Sequence, residues 1–401
     1  MIRRQRVLFK PLQLNGLCER YDASGARIEY VLNYTNNIVK FTRNGKASYF
    51  KEAKIRGGLK SCIKDCVHCF FTEICADAEL ERRVSESLSN KKNFKKLVKM
   101  GYKDGKGSPF NRYLVSGDER FLGLPLAESG KKASLRKFIF YIYGEISNYH
   151  YNTGVKRGQR QTFLSTRALA VKRLADMLGL GYMVPETRYV KTQFCGRERY
   201  GVLEAEAEGV NVASVPCGDR LKRVTPALVR ELTNLNVLNV LCSERDQRPD
   251  NYRTLTNGDG GYIGVVSFDN DGPDVFLPSF SIAFKNCVNC SPIVDKRGYI
   301  NRPHMDKNLA NAVCGMEAGE IKTLSPYLTY LQRLALWKRF KKIKKAILKT
   351  EKARSGFLLE KDEWTAEHVD GELSGKYGKT YAVSFVTDCY YPDGLSPFDK
   401  C

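Results

Sequence analysis

Hydrophobic and polar positions alternate through RIEYVLNYTNNIVKFTRNGKASYFKEAKI, residues 27–55, the two-residue period of strands with one buried face. Asn44-Gly45 inside that run has the chemistry of a tight hairpin turn. The pattern changes over residues 62–110, where a cysteine cluster is followed by a basic, helix-prone stretch that breaks at Gly and Pro. KASLRKFIFYIYGEI, residues 132–146, reads as a buried strand. STRALAVKRLADMLGLG then predicts a helix, with Leu169, Val171, Leu174, Ala175 and Leu178 on one stripe, Ser165 or Thr166 as its cap and Gly179 at its end.

Two strands are predicted in YMVPETRYVKTQF and ERYGVLEAEAEGVNV, and a second helix in TPALVRELTNLNVLNVLCS. GGYIGVVSFDNDGPDVF reads as a strand, a polar turn and a return. Residues 325–355 form a long basic amphipathic helix with Leu336, Phe340, Ile343 and Ile347 on one face. The last 45 or so residues read as a tail with short strands. Strands early and helices late define an α+β class.

Composition narrows the partners more than the fold. The chain has 401 residues, enough for two or three structural units, with 42% hydrophobic and 27% charged residues. No apolar run is long enough to span a membrane, and MIRRQRVLFKPLQLNG lacks the apolar core of a secretory signal, so a cytoplasmic location is expected. A net charge of +22 favours polyanionic partners, nucleic acid or anionic lipid among them. The basic helix can serve such a partner, or its lysines can be an ordinary solvated face.

Thirteen cysteines without an export signal favour thiols or metal ligands over a disulfide framework. Cys62, Cys66, Cys69 and Cys75, with the distant pair Cys287 and Cys290, include two C-x-x-C units of the kind that hold structural Zn²⁺. Packing as small apolar side chains is the alternative. His304 reads as structural rather than catalytic.

SERDQRPDNYRT, residues 243–254, places Asp246 and Asn251 five positions apart, and SFDNDG puts Asp269 at the end of the next apolar strand, with Asp271 two residues on. Phosphoryl transfer needs a carboxylate to orient the attacking hydroxyl and oxygen ligands for Mg²⁺, and a kinase supplies them with this Asp, Asn and Asp order. Asp, Asn, Pro and Gly also make ordinary turns.

STRALAVKRLADMLGLGYMVPETRYV, YGVLEAEAEGVNV, LNVLCSERDQRPDNY and GVVSFDNDG together resemble the bacterial branch of atypical kinases related to phosphatidylinositol 3-/4-kinases and actin-fragmin kinase, over roughly residues 160–350. The resemblance implies a protein-kinase-like two-lobed core: an N-terminal extension (1–115), an N-lobe (116–215), a C-lobe (216–355) and a tail (356–401). It implies an ATP- and Mg²⁺-dependent phosphotransferase acting on a protein hydroxyl, with lipid and small-molecule acceptors as alternatives. Asp246 would be catalytic, Asn251 and Asp269 metal ligands, and Asp271 a second candidate. The backbone around Glu206 would pass behind the adenine, with the alternating glutamates on a solvated strand face. The phosphate-holding lysine is expected at Lys137, with Lys51 and Lys54 as alternatives. Two other functions stay open: a nucleotide-binding pseudokinase, and a nucleic-acid-binding protein with zinc-supported structure.

Overall fold

The computed structural model describes residues 17–32, 37–52, 103–106, 112–115, 164–194, 197–211, 215, 217–244, 251–270, 272, 275–276 and 293–374. The strand read at 132–146 and the cysteine cluster at 62–75 lie outside them. The described residues are of the α+β class expected and fall into a strand-rich and a helix-rich unit. Among the described residues the chain crosses between the two at Ser165/Thr166, at Thr187/Arg188 and at Glu206/Ala207.

The strand-rich unit opens with β1 (Glu19–Tyr21), β2 (Arg27–Leu32), β3 (Asn37–Arg43) and β4 (Lys46–Glu52). A two-stranded ladder follows, β5 (Lys103–Lys106) with β6 (Arg112–Val115). After the helix α1 (Leu164–Met177) and a 3₁₀ turn (Gly181–Met183), the chain returns as β7 (Thr187–Phe194) and β8 (Arg197–Ala205). The main sheet runs β1-β7-β8-β4-β3-β2, so the β2-β3-β4 meander joins the later pair through β4 and β8. The Asn44-Gly45 turn forms as expected: both residues have positive φ, 52° and 74°, and Arg43 pairs with Lys46 across it. That is the twist a two-residue hairpin loop requires. The alternation is realised too. Val39, Phe41 and Phe50 pack with Val190 and Leu203 in one apolar layer, with Tyr21 against Phe41 at 5.4 Å between ring centroids.

In the helix-rich unit, α1 turns Val171, Leu174, Ala175 and Leu178 into the core. The helix starts at Leu164, so Ser165 and Thr166 lie inside its first turn rather than capping it. A boundary shift of one or two residues is ordinary at a helix end. The short strand β9 (Val210–Asn211) and helix α2 (Cys217–Lys222) lead to α3 (Pro226–Cys242). Gly209, at φ 102°, separates β8 from β9, and a Cβ there would fall 2.3 Å from the Thr254 carbonyl oxygen. The stretch expected as one strand therefore breaks in two.

α3 begins as its sequence dictates: Thr225 accepts from the Leu228 N–H at 3.2 Å and Pro226 fills the first turn, where its missing N–H is harmless. From Leu228 to Cys242 every residue is buried. The hairpin β10 (Tyr252–Thr256) and β11 (Tyr262–Ser267) packs on it, extended by β9 into a three-stranded sheet.

The remainder is β12 (Met305–Asp306), α4 (Lys307–Gly315), α5 (Ala318–Lys322), α6 (Tyr330–Ala353), β13 (Leu358–Leu359) and α7 (Ala366–Leu373). α6 buries Leu336, Phe340, Ile343 and Ile347 as its periodicity predicts. Arg339, which belongs to the helix's basic run, is instead fully buried. Its Nε donates to the Leu241 carbonyl at 2.8 Å, and burial pushes the guanidinium down to about 10. The tail expected to be stranded contains the two-residue β13, parallel to β12, and the helix α7. Among the described residues no helix is long and apolar enough to cross a membrane.

Candidate functional site

The helix-rich unit builds its candidate site where α3 ends and the β10–β11 hairpin opens. α3 stops at Ser243, whose φ of 61° is left-handed, and the Glu244 N–H turns back to the Asn239 carbonyl at 2.9 Å. Residues 245–250, with Asp246 among them, lie outside the described residues. Asn251 follows, buried, directly before β10. Tyr252 pairs with Ser267, which sets Asn251 opposite Phe268, and the Phe268 N–H donates to the Asn251 carbonyl at 3.0 Å. Asp269 is the next residue beyond that bond. Two positions eighteen apart in sequence thus stand on adjacent chain ends, because antiparallel pairing folds one back on the other.

The turn after β11 is held by its own side chains. Ser267 Oγ donates to Asn270 Oδ1 at 2.8 Å, and Asn270 Nδ2 donates to the Ser267 carbonyl at 3.0 Å. Between them Asp269 sits at φ 59°, a conformation non-glycine residues adopt only when their surroundings hold them there. Asp is among the more tolerant side chains. Gly272 is buried nearby, and a Cβ there would sit 3.9 Å from the carboxylate oxygens of the buried Glu244. Asp271 lies outside the described residues. A carboxamide oxygen from Asn251 and a carboxylate from Asp269 are the ligand types a hard divalent cation takes.

The strand-rich unit contributes a second polar feature, on the face of the sheet opposite the Phe41–Phe50 layer. Lys51 on β4 is 4% exposed, and its ammonium pairs with Glu204 on β8 at 3.4 Å. Pairing of Lys51 with Val202 and Tyr49 with Glu204 makes the two ionic side chains diagonal neighbours on that face. Glu206 accepts from Tyr49 Oη at 3.1 Å and pairs with Lys40 at 3.7 Å. Burial pushes the Tyr49 phenol upward against the pull of the Lys40 ammonium.

The glutamates expected to share a solvated face therefore separate: Glu204 is buried, Glu206 is half-buried and Glu208 is exposed. Nothing in the alternation of YGVLEAEAEG marks Glu204 for burial. Its signal lies in another strand, in Lys51. Of the lysines considered for phosphate binding, Lys51 is described, whereas Lys54 and Lys137 lie outside the described residues.

The cysteines proposed for zinc, Cys62, Cys66, Cys69, Cys75, Cys287 and Cys290, also lie outside them. His304 is set among aromatic rings: its Nδ1–H donates to the Gly356 carbonyl at 2.9 Å, and its ring meets His368 edge-on at 4.5 Å. No model of a known protein family matches the chain, and no curated protein matches it.

Proposed function

We propose that this protein is an ATP- and Mg²⁺-dependent phosphotransferase with a kinase-like two-lobed core, acting on a protein hydroxyl. The observation that carries the proposal is the hairpin register that sets Asn251 beside the left-handed Asp269 at the end of a buried helix. Ordinary turn chemistry does not require an Asp at that strained position, since Gly adopts it without penalty. Mg²⁺ held by Asn251 and Asp269 would neutralise charge on the transferring phosphates.

In this assignment Asp246 orients the acceptor hydroxyl and takes its proton, and Asp271 is a further oxygen donor. Lys137 is the lysine assigned to the phosphates, and Lys51, buried on the third strand of the meander and paired with Glu204, is the described alternative. The backbone beyond Glu204, around Glu206, receives the adenine edge.

Thermal unfolding with and without ATP and Mg²⁺, on the wild type and on Asp269→Ala, tests the assignment. Ligand at a hundredfold its dissociation constant adds about 2.7 kcal/mol of stability. The expected result is a metal-dependent rise in Tm that the variant loses. The absence of a shift at millimolar nucleotide would reduce the loop to a turn and move the function to polynucleotide binding, which the charge of +22 favours. A shift without any ADP release would identify a pseudokinase.

A further inference from the structure

With Leu336, Phe340, Ile343 and Ile347 of α6 buried, helical geometry turns Lys341, Lys345 and Lys352 outward along one line, and all three are exposed. Lys349 lies beside them, its Nζ donating to the Arg297 carbonyl at 2.6 Å and resting 4.1 Å from the Tyr299 ring centroid. The only acidic residue in the helix is Glu351, at the side of this line.

A solvated helix face normally mixes signs, because opposite charges four apart stabilise a helix and like charges weaken it. Here Lys338–Lys342, Lys341–Lys345 and Lys345–Lys349 are all like pairs four apart. The helix dipole favours a cation in the last turn, which explains Lys352 and none of the others. The same outward arc also exposes apolar side chains: Tyr330 at 68%, Leu331 at 59% and Leu348 at 44%.

We propose that this face of α6 is a docking surface for an anionic phospholipid bilayer. A row of lysines alone would suit any polyanion. A nucleic acid would neutralise the ammoniums and leave Leu331 and Leu348 in water. A bilayer interface accepts both: the ammoniums sit among headgroup phosphates, and the leucines and Tyr330 reach the acyl boundary. The contact is peripheral. It uses no residue of the nucleotide assignment and stands or falls separately from it.

Co-sedimentation of the full chain with vesicles decides the matter. Phosphatidylcholine vesicles with added phosphatidylserine should bind the protein, and phosphatidylcholine alone should not. At about 1 kcal/mol per lysine, Lys341→Glu/Lys345→Glu/Lys352→Glu should weaken binding by at least on the order of 100-fold. The same charge change at exposed positions elsewhere, Lys46→Glu/Arg173→Glu/Lys222→Glu, should have little effect. A Gln version of the α6 triple, with an unchanged Tm, guards against a folding defect.

Leu331→Ser/Leu348→Ser should bind at low salt and release at physiological salt, where the wild type holds. The proposal fails if phosphatidylserine vesicles do not bind, or if the two lysine triples behave alike. It fails equally if single-stranded RNA binds with the same lysine dependence while vesicles do not.

Discussion

Lys51 and Glu204 show how much one pair of side chains can contribute to the strand-rich unit. Both are buried, and their pairing distance is 3.4 Å. Two ions taken out of water together gain little, but removing one strands the other, which costs roughly 3–5 kcal/mol. Lys51→Met should therefore destabilise the protein by about that amount in urea titration, while Lys51→Met/Glu204→Leu should recover most of the loss. A single variant no less stable than the wild type would show that the ammonium carries no structural weight. If Lys51 rather than Lys137 holds the phosphates, the double variant should fold and yet show no Tm rise with ATP. Asp269 is the second residue whose conformation exceeds what local sequence asks for. Its backbone strain marks a position where a carboxylate is kept although glycine would be easier.

At the scale of elements, α7 carries a histidine in its capping box. The Thr365 N–H donates to His368 Nδ1 at 2.7 Å. His304 packs edge-on against the same ring, with Trp364 alongside. Burial pushes the His304 imidazole down, its bond to the Gly356 carbonyl opposes that, and His368 and Arg354 add repulsion to the charged form.

The native state thus prefers neutral His304, whereas the unfolded chain titrates it near about 6.5. The stability this provides is fully present above that value and is lost as pH falls toward the lower, folded value. Urea midpoints should accordingly drop as pH falls below neutral, and His304→Gln should flatten that drop. A parallel fall in both proteins would place the acid sensitivity in other groups.

For the whole molecule, the dominant quantity is the charge of +22. Such an excess repels itself in the compact state and attracts polyanions. Raising ionic strength from 0.01 M to 0.15 M shortens the screening length from about 30 Å to about 8 Å. The expected consequence is a rise in Tm of roughly 2–4 °C, the effect of about 1 kcal/mol on a unit of 150–250 residues. A flat or falling Tm over that range would mean that local ion pairs such as Arg230–Asp306 and Arg230–Glu231 outweigh the global repulsion. The same salt series should weaken capture by anionic vesicles, and the exposed leucines of α6 set how much binding survives.

Periodicity by itself determined the elements that depend on near neighbours. Within the 27–55 alternation the stretches Arg27–Leu32, Asn37–Arg43 and Lys46–Glu52 became the meander, and Asn44-Gly45 its turn, because turn geometry is decided by residues that touch in sequence. The two apolar helices and the buried face of α6 followed for the same reason. The order of Asn251 and Asp269 was also legible, since a hairpin needs only local register to bring them together.

Tertiary structure alone decided the rest. Glu204 looks like its neighbours Glu206 and Glu208 until β4 is laid against β8 and Lys51 covers it. Arg339 looks like one more cation of a basic helix until α6 packs its base onto the carbonyl of Leu241. β9 left the strand it was read with because Gly209 let the backbone turn against Thr254. In each case the deciding partner lies dozens of residues or more away, and a single chain read in order carries no term for a contact that only the fold creates.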